Sequence, residues 1–182
     1  MDRDGDIDGD GFYEYRTLAG EAGIKNQGWK DSSQAILYAD GSYVPNPIAI
    51  ADVRGLYYAA KQAIAAVFSV AGESGRADAL LRQAADLKKR FNERFWMPDA
   101  EYFALALDPD KNPVTTIASE PGSCLAYGII DKAQAVARPI LASDMFSGRG
   151  ARTLSSDHPR IIRLPTISAR YGPSQMAIFV LD

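Results

Sequence analysis

Residues 47–68 read PIAIADVRGLYYAAKQAIAAVF, and the spacing of their apolar side chains predicts the fold around them. Apolar residues recur at intervals of three and four positions, which is the pattern of a helix with a wide buried face. Pro47 suits the first turn of such a helix, and the run from Gly72 to Gly75 suits its end. The sequence therefore predicts a long helix that begins near Asn46.

A second helix is predicted from about Arg76 to Phe95, because its apolar residues also recur at helical spacing while its charged residues point outward. Only Gly72-Glu73-Ser74-Gly75 separates the two helices, so they should form an antiparallel hairpin. A pair of shorter helices is predicted over residues 121–130 and 131–141.

A short β-structure is predicted between the two helical pairs. Residues 96–99 read WMPD and end the second helix, and residues 102–107 read YFALAL, which favours a strand. The turn sequence DPDKNP follows at residues 108–113. We therefore expect an all-α protein with a short β-hairpin near 100–118.

The composition is that of an ordinary globular domain, with 47% apolar and 24% charged residues in 182. A net charge of -3 leaves no basic surface for phosphates, so a nucleic acid partner is not expected. Cys124 is the only cysteine, which excludes an intrachain disulfide. No uncharged apolar run reaches the roughly 18 residues of a membrane helix. We expect a cytoplasmic protein without membrane contact or cofactor, and the sequence leaves its oligomeric state open.

Aspartates alternate with other residues at the N-terminus, at positions 2, 4, 6, 8 and 10, in a spacing that resembles a calcium loop. An EF-hand loop that began at Asp4 would need a bidentate Glu at its twelfth position, where this chain has Tyr15. The pattern therefore favours an exposed acidic turn over a metal site.

Residues 26–32 read NQGWKDS and concentrate side chains that suit sugars. The ring of Trp29 offers an apolar face for a pyranose. The amides of Asn26 and Gln27 can both donate to and accept from hydroxyl groups, and Gly28 lets the backbone approach closely. The stretch therefore indicates a carbohydrate site.

Asp31 is the candidate acid of this stretch. A carboxyl group beside an indole loses water, which favours its neutral form, and a neutral carboxyl can protonate a leaving oxygen. Lys30 would oppose this shift if its ammonium pointed at Asp31. A simpler interpretation is that Asp31 or Ser32 is the N-cap of a helix over residues 33–37.

The stretch at residues 26–32, preceded by DGDGFYEY at residues 8–15, resembles the bacterial amylo-alpha-1,6-glucosidases, which are glycogen-debranching-type glycoside hydrolases. The resemblance extends over residues 4–158. Further blocks match in the same order, at residues 47–49 with 52–60, 90–92 with 95–96, 102–108, and 145–148 with 152–155.

This resemblance implies an (α/α)6 toroid, of which residues 1–182 supply part of the catalytic domain, and it places the general acid on Asp31. The candidate substrate contacts are Trp29, Lys30, Asn26, Gln27, Phe12 and Arg152. In the family the catalytic base is a Glu from a later part of the barrel, and no segment here matches it. We therefore expect a fragment that binds α-glucan or an oligosaccharide and is not active alone. A non-catalytic carbohydrate-binding remnant and an inactive helical scaffold stay open as alternatives.

Four of the singled-out side chains have a second interpretation. Trp29 and Phe12 either stack on a sugar or pack as core aromatics. Glu14 either binds a hydroxyl or lies solvated on a turn, and the solvated turn is favoured. Arg152 either pairs with an acidic pocket residue or is a surface charge.

The chain departs from the family pattern at several positions. Asp52 and Arg54 stand where the family has Glu and Gln, and Arg149 stands where it has Trp, so pocket contacts there differ. Asp52 is otherwise expected to be a carboxylate on the helix surface. Residues 160–176 lack the family segments altogether, which suggests a local change of reading frame.

Overall fold

The computed structural model describes residues 5–17, 23–30, 32 and 34–161. In this part the chain is mainly helical, with two small antiparallel sheets in addition to the helices, which agrees with the expected helical class with a short β-structure. The elements are β1 (Ala49–Ile50), α1 (Ala51–Val70), α2 (Ser74–Arg94), β2 (Trp96–Met97), β3 (Tyr102–Phe103), β4 (Ala106–Leu107), α3 (Glu120–Ala126) and α4 (Ala133–Ile140). Residues 162–182, which include most of the suspected frame change, lie outside it.

The predicted hairpin of α1 and α2 is confirmed, and the two helices pack along their lengths. Gly72 follows the end of α1 with a φ of 79°, a left-handed conformation that glycine adopts without steric cost. The buried face of α2 consists of Ala77, Ala84, Leu87 and Phe91. Neither these two nor any other described helix is long and apolar enough to cross a membrane.

The predicted start of the first helix is wrong by about five residues. The helix begins at Ala51, because residues 49–50 are extended and pair with β4. Ala49 pairs with Leu107, and both are fully buried. The apolar residues before Ala51 therefore fill a sheet, and their partner strand lies too far along the chain for local spacing to reveal it.

The predicted strand at residues 102–107 divides into β3 and β4, which belong to different sheets. β3 pairs back onto β2, whereas β4 pairs with β1. The hairpin expected near 100–118 is present as a turn after β4, where Leu107 and Pro113 form an isolated antiparallel bridge.

Four phenylalanines form the centre of the main core. Phe91 stacks on Phe95 with ring centroids 4.6 Å apart, and on Phe103 at 5.7 Å. The Phe12 ring meets Phe95 edge to face at 5.5 Å. These contacts fix the N-terminal segment against the end of α2.

The second helical pair is confirmed, with α3 and α4 inside the predicted ranges of 121–130 and 131–141 to within one residue. α3 lies so close to α1 that a Cβ atom at Gly55 would be 3.1 Å from the Cα of Cys124 and 2.8 Å from the Tyr127 ring. Glycine at this position therefore allows the two helices to touch.

Candidate functional site

The segment that carries the sugar-type motif is an irregular loop held by polar contacts. Asn26 is 3% exposed, its Oδ1 accepts from the Tyr15 hydroxyl at 3.0 Å, and its Nδ2 donates to the Ser32 carbonyl. Gln27 is exposed and donates from Nε2 to the Arg16 carbonyl at 3.1 Å. Asn26 therefore shapes the loop and leaves little surface for a substrate, which corrects its expected role.

Residues 34–37, the described part of the helix that Asp31 or Ser32 would cap, are not helical. Residues 34–36 make a turn, and Leu37 belongs to an isolated bridge. The Ser32 hydroxyl accepts the amide of Gln34 at 3.2 Å, so it stabilises this turn and caps no helix. Asp31 itself lies outside the described residues, and its role as general acid stays a prediction.

Lys30 connects the loop to the body of the protein. Its ammonium forms an ion pair with Glu120 and donates to the Thr153 carbonyl at 2.9 Å. The same ammonium lies 5.2 Å from the centroid of the Trp29 ring. Trp29 is 60% exposed, whereas the Lys30 side chain is only 14% exposed. The loop therefore presents an indole to solvent above a buried cation.

Glu120 is the buried partner of this cation. It is the first residue of α3 and is 1% exposed. One carboxylate oxygen contacts Lys30, and the other, Oε2, has no hydrogen-bond partner among the described residues. Burial raises the pKa of Glu120, and the nearby charge of Lys30 opposes that rise without cancelling it.

Asp52 is a second buried carboxyl close to this pair. It lies in the first turn of α1, is 8% exposed and accepts the amide of Val53 at 2.8 Å. Burial raises the pKa of Asp52, while the Val53 amide and the charge of Lys30 act against the rise. Its charge in turn raises the pKa of Glu120. Buried carboxyls with raised pKa values are common at acid–base sites, and also in structural networks.

Sequence reasoning missed this carboxyl cluster. The expectation that Asp52 lies on a helix surface is wrong, because the start of α1 is buried by the segments packed on it. Glu120 was not singled out at all. The residues Glu120-Pro121-Gly122 do carry a helix-start signal, with Pro in the first turn and an acidic residue before it. That signal predicts the start of α3, but it does not indicate that Glu120 contacts Lys30, which lies 90 positions earlier in the chain.

Two of the predicted substrate contacts, Phe12 and Arg152, have other roles in the fold. Phe12 is 2% exposed and packs on Phe95, so it is a core residue and has no free face for a sugar. Arg152 donates from Nη1 to the carbonyls of Ser143 and Asp144, at 3.2 and 3.3 Å. Its guanidinium therefore fastens the segment after α4 and forms no ion pair with a described carboxylate.

The acidic N-terminal turn surrounds a lysine. The ammonium of Lys111 lies 3.0 Å from Asp8 and 3.1 Å from Asp10, and it also contacts Glu14. Carboxylate oxygens of Asp6, Asp8 and Glu14 lie within 4.8 Å of one another. Lys111 supplies the positive charge that this cluster needs. Glu14 was expected to be solvated, but it is 8% exposed, because Lys111 covers it.

Arg54 is also buried. It is 2% exposed and donates to the carbonyls of Tyr13 and Ile50, the latter at 3.3 Å. Burial lowers the pKa of Arg54 to about 10, although the carboxylate of Glu14 opposes the change. Arg54 therefore ties α1 to the N-terminal segment from inside the fold.

A groove of about 530 Å³ lies on the surface of the α1–α2 hairpin. It is lined by Tyr58, Gln62, Leu81, Ala84, Ala85, Lys88, Lys89, Asn92, Glu93 and Asp131. None of these residues belongs to the Trp29 loop or to the carboxyl cluster, so the groove is separate from the candidate site.

Comparison with known proteins defines a fold but no family. No protein-family model and no curated protein matches the chain. Among solved structures, the chain is similar to one named sialidase, with a TM-score of 0.61 and 14% sequence identity. The match covers 78% of this chain and only 13% of that one. At this level of identity the likeness concerns the fold alone, and the chain corresponds to a small part of the longer structure.

Proposed function

We propose that this chain is part of a glycoside hydrolase of the glycogen-debranching, amylo-alpha-1,6-glucosidase type, and that it binds α-glucan or an oligosaccharide. Residues 1–182 are then a portion of its catalytic domain, and the pairs α1–α2 and α3–α4 are hairpins of an incomplete (α/α)6 toroid. The ordered sequence blocks support this proposal. So does the similarity in fold to a protein named sialidase, a glycoside hydrolase.

The exposed indole of Trp29 is the observation that carries the proposal. A large aromatic ring that is 60% exposed is available to stack on the apolar face of a sugar. It lies on a loop with an exposed amide, Gln27, and is held from below by Lys30. Trp29 and Gln27 are therefore the sugar contacts of the proposal, and Lys30 is their support.

Asp31 is the general acid of the proposed reaction. It follows Lys30 in the chain, and its role rests on the family resemblance. An inverting glycosidase also needs a base roughly 6.5–9.5 Å from the acid, so that a water molecule fits between base and sugar. Because no segment here matches the one that carries the family's base, we expect the isolated chain to bind without turnover.

A fluorescence titration with maltoheptaose tests the binding step. The chain has two tryptophans, and Trp96 packs on Phe103 beneath Lys132, whose ammonium lies 3.7 Å from its ring. We expect saturable quenching in the wild type and in Trp96→Phe. The quenching should be lost in Trp29→Phe. Equal responses in the wild type and Trp29→Phe, or none in either, would count against the proposal.

Hydrolysis of an α-1,6-branched limit dextrin separates the remaining functions. We expect quenching without hydrolysis, the response of a chain that lacks the base. Turnover that Asp31→Asn abolishes, while the exposed-site control Asp78→Asn retains it, would show a complete catalytic site. Neither binding nor turnover would identify a helical scaffold without a ligand.

A further inference from the structure

We infer that the ion pair between Lys30 and Glu120 is a positioning device for the indole of Trp29. The inference rests on the proposed function, because positioning matters only if Trp29 contacts a sugar. It assigns to Glu120 a role in carbohydrate binding, although this residue does not itself touch the ligand.

The ammonium of Lys30 is held from three directions. Glu120 contacts it from the start of α3, and the Thr153 carbonyl accepts its hydrogen bond at 2.9 Å. The third neighbour is the ring of Trp29, at 5.2 Å from the centroid. A cation within about 6 Å of an aromatic face is attracted to it. Lys30 therefore fixes one side of the indole and leaves the rest exposed.

Glu120 is suited to hold the Lys30 ammonium because its carboxylate has few other partners among the described residues. Its carboxylate is 1% exposed, Lys30 is its cationic partner, and within the described part of the chain Oε2 has no hydrogen-bond partner. A buried carboxylate with a single cationic partner is strongly bound to it, since separation would leave the charge unpaired in a dry environment. The position of Lys30, and of the ring above it, thus depends on Glu120.

The loop has other attachments, and its described hydrogen bonds lie on Asn26 and Gln27. Asn26 and Gln27 bind Ser32, Tyr15 and Arg16, which hold the base of the loop near residues 15–17. Without Lys30 the loop keeps these contacts while the ring loses its cationic support. The ion pair should therefore affect ligand affinity more than the fold.

The test measures maltoheptaose affinity and acrylamide quenching of Trp29 in a Trp96→Phe background. Lys30→Met removes the cation, and Glu120→Gln keeps the shape of the anchor but removes its charge. We expect both to weaken binding at least tenfold and to raise the acrylamide quenching constant. Lys30→Arg, which keeps a cation able to bind the carboxylate and cover the ring, should recover most of the affinity.

The matched control is Lys88→Met. It removes the ion pair between Lys88 and Asp131, whose side chains are 28% and 62% exposed and which lies outside the Trp29 loop. It should leave both readouts unchanged. Affinity and quenching within twofold of the parent in Glu120→Gln, with the fold intact by circular dichroism, would overturn the inference. If Lys30→Met does not fold, Glu120→Gln decides alone.

The two proposals fail in different ways. If the Trp96→Phe parent itself does not bind maltoheptaose, the proposed function is contradicted. Acrylamide quenching then still tests the ion pair, because it needs no ligand. Unchanged quenching in Glu120→Gln and Lys30→Met contradicts the positioning role, whatever the parent binds.

Discussion

At the level of single residues, the unusual feature of this protein is the burial of charged groups near the start of α1. Asp52, Arg54 and Glu120 are each less than 10% exposed, and only Glu120 forms an ion pair within the described residues. Buried charge without full pairing is costly, so such groups either take a neutral form or serve a ligand. Burial raises the pKa of both carboxyls, and for Glu120 the ion pair with Lys30 opposes the rise.

Asp52 gives a prediction for the pH dependence of stability. Because its pKa in the folded protein lies above the ordinary value of 3.8, the folded state holds this proton more tightly than the unfolded chain. Its contribution to stability is therefore full at low pH and is lost as the pH rises through the folded pKa. Asp52→Asn keeps an oxygen that accepts from the Val53 amide. Because asparagine does not ionise, the variant does not lose stability at this position as the pH rises.

The expected result is that Asp52→Asn gains stability relative to the wild type between pH 4 and pH 7. Urea unfolding at four pH values measures the difference. Asp78→Asn, on the exposed side of α2, is the control, and its free energy of unfolding should depend on pH as that of the wild type does. A constant difference between Asp52→Asn and the wild type over this range would contradict the raised pKa.

At the level of elements, the contact between α1 and α3 depends on the absence of a side chain. Gly55 faces the Cys124 backbone and the Tyr127 ring, at 3.1 and 2.8 Å from the place where a Cβ would stand. A backbone neighbour cannot move aside as a flexible side chain can. The close approach of α1 and α3 therefore requires a glycine at position 55.

We predict that Gly55→Ala destabilises the protein by about 1 kcal/mol, because overpacking of roughly 1–3 kcal/mol outweighs a gain of about 1 kcal/mol in helix propensity. Gly75→Ala is the matched control. It lies in the first turn of α2 with no atom within 4 Å of its Cβ position, so it should be neutral or stabilising. Thermal unfolding measures both, and a Gly55→Ala variant at least as stable as Gly75→Ala would refute the packing argument.

At the level of the whole molecule, one face of α1 is left exposed. Several large apolar residues of this helix are exposed, namely Leu56 at 55%, Ile64 at 49%, Val67 at 67% and Val70 at 92%. Contiguous apolar surface of this kind favours association in water. A helix that is apolar on two sides is typical of the interior of a larger helical protein.

We therefore expect the isolated chain to associate with increasing concentration. Replacing Val67 and Val70 together by lysine should shift the sedimentation of the chain toward the monomer. Ser69→Lys adds charge to the same helix without removing apolar surface, and it should have a smaller effect. A wild-type chain that sediments as a monomer at all concentrations would show that the exposed residues do not cause association.

Local patterns in the sequence determined most of the helical structure. The spacing of apolar residues predicted the α1–α2 hairpin and the α3–α4 pair, because helical periodicity is a property of neighbouring residues. The same reasoning singled out Trp29, whose residue type already indicates a contact surface.

Only the tertiary structure decided which groups are buried and which groups they contact. β1 was read as helix because its partner β4 lies far along the chain, and Phe12 is a core residue because α2 ends beside it. Lys30 meets Glu120, and Lys111 meets Glu14, across separations of about half the chain or more. No local pattern records such pairs, since burial of a charge depends on every segment that packs over it.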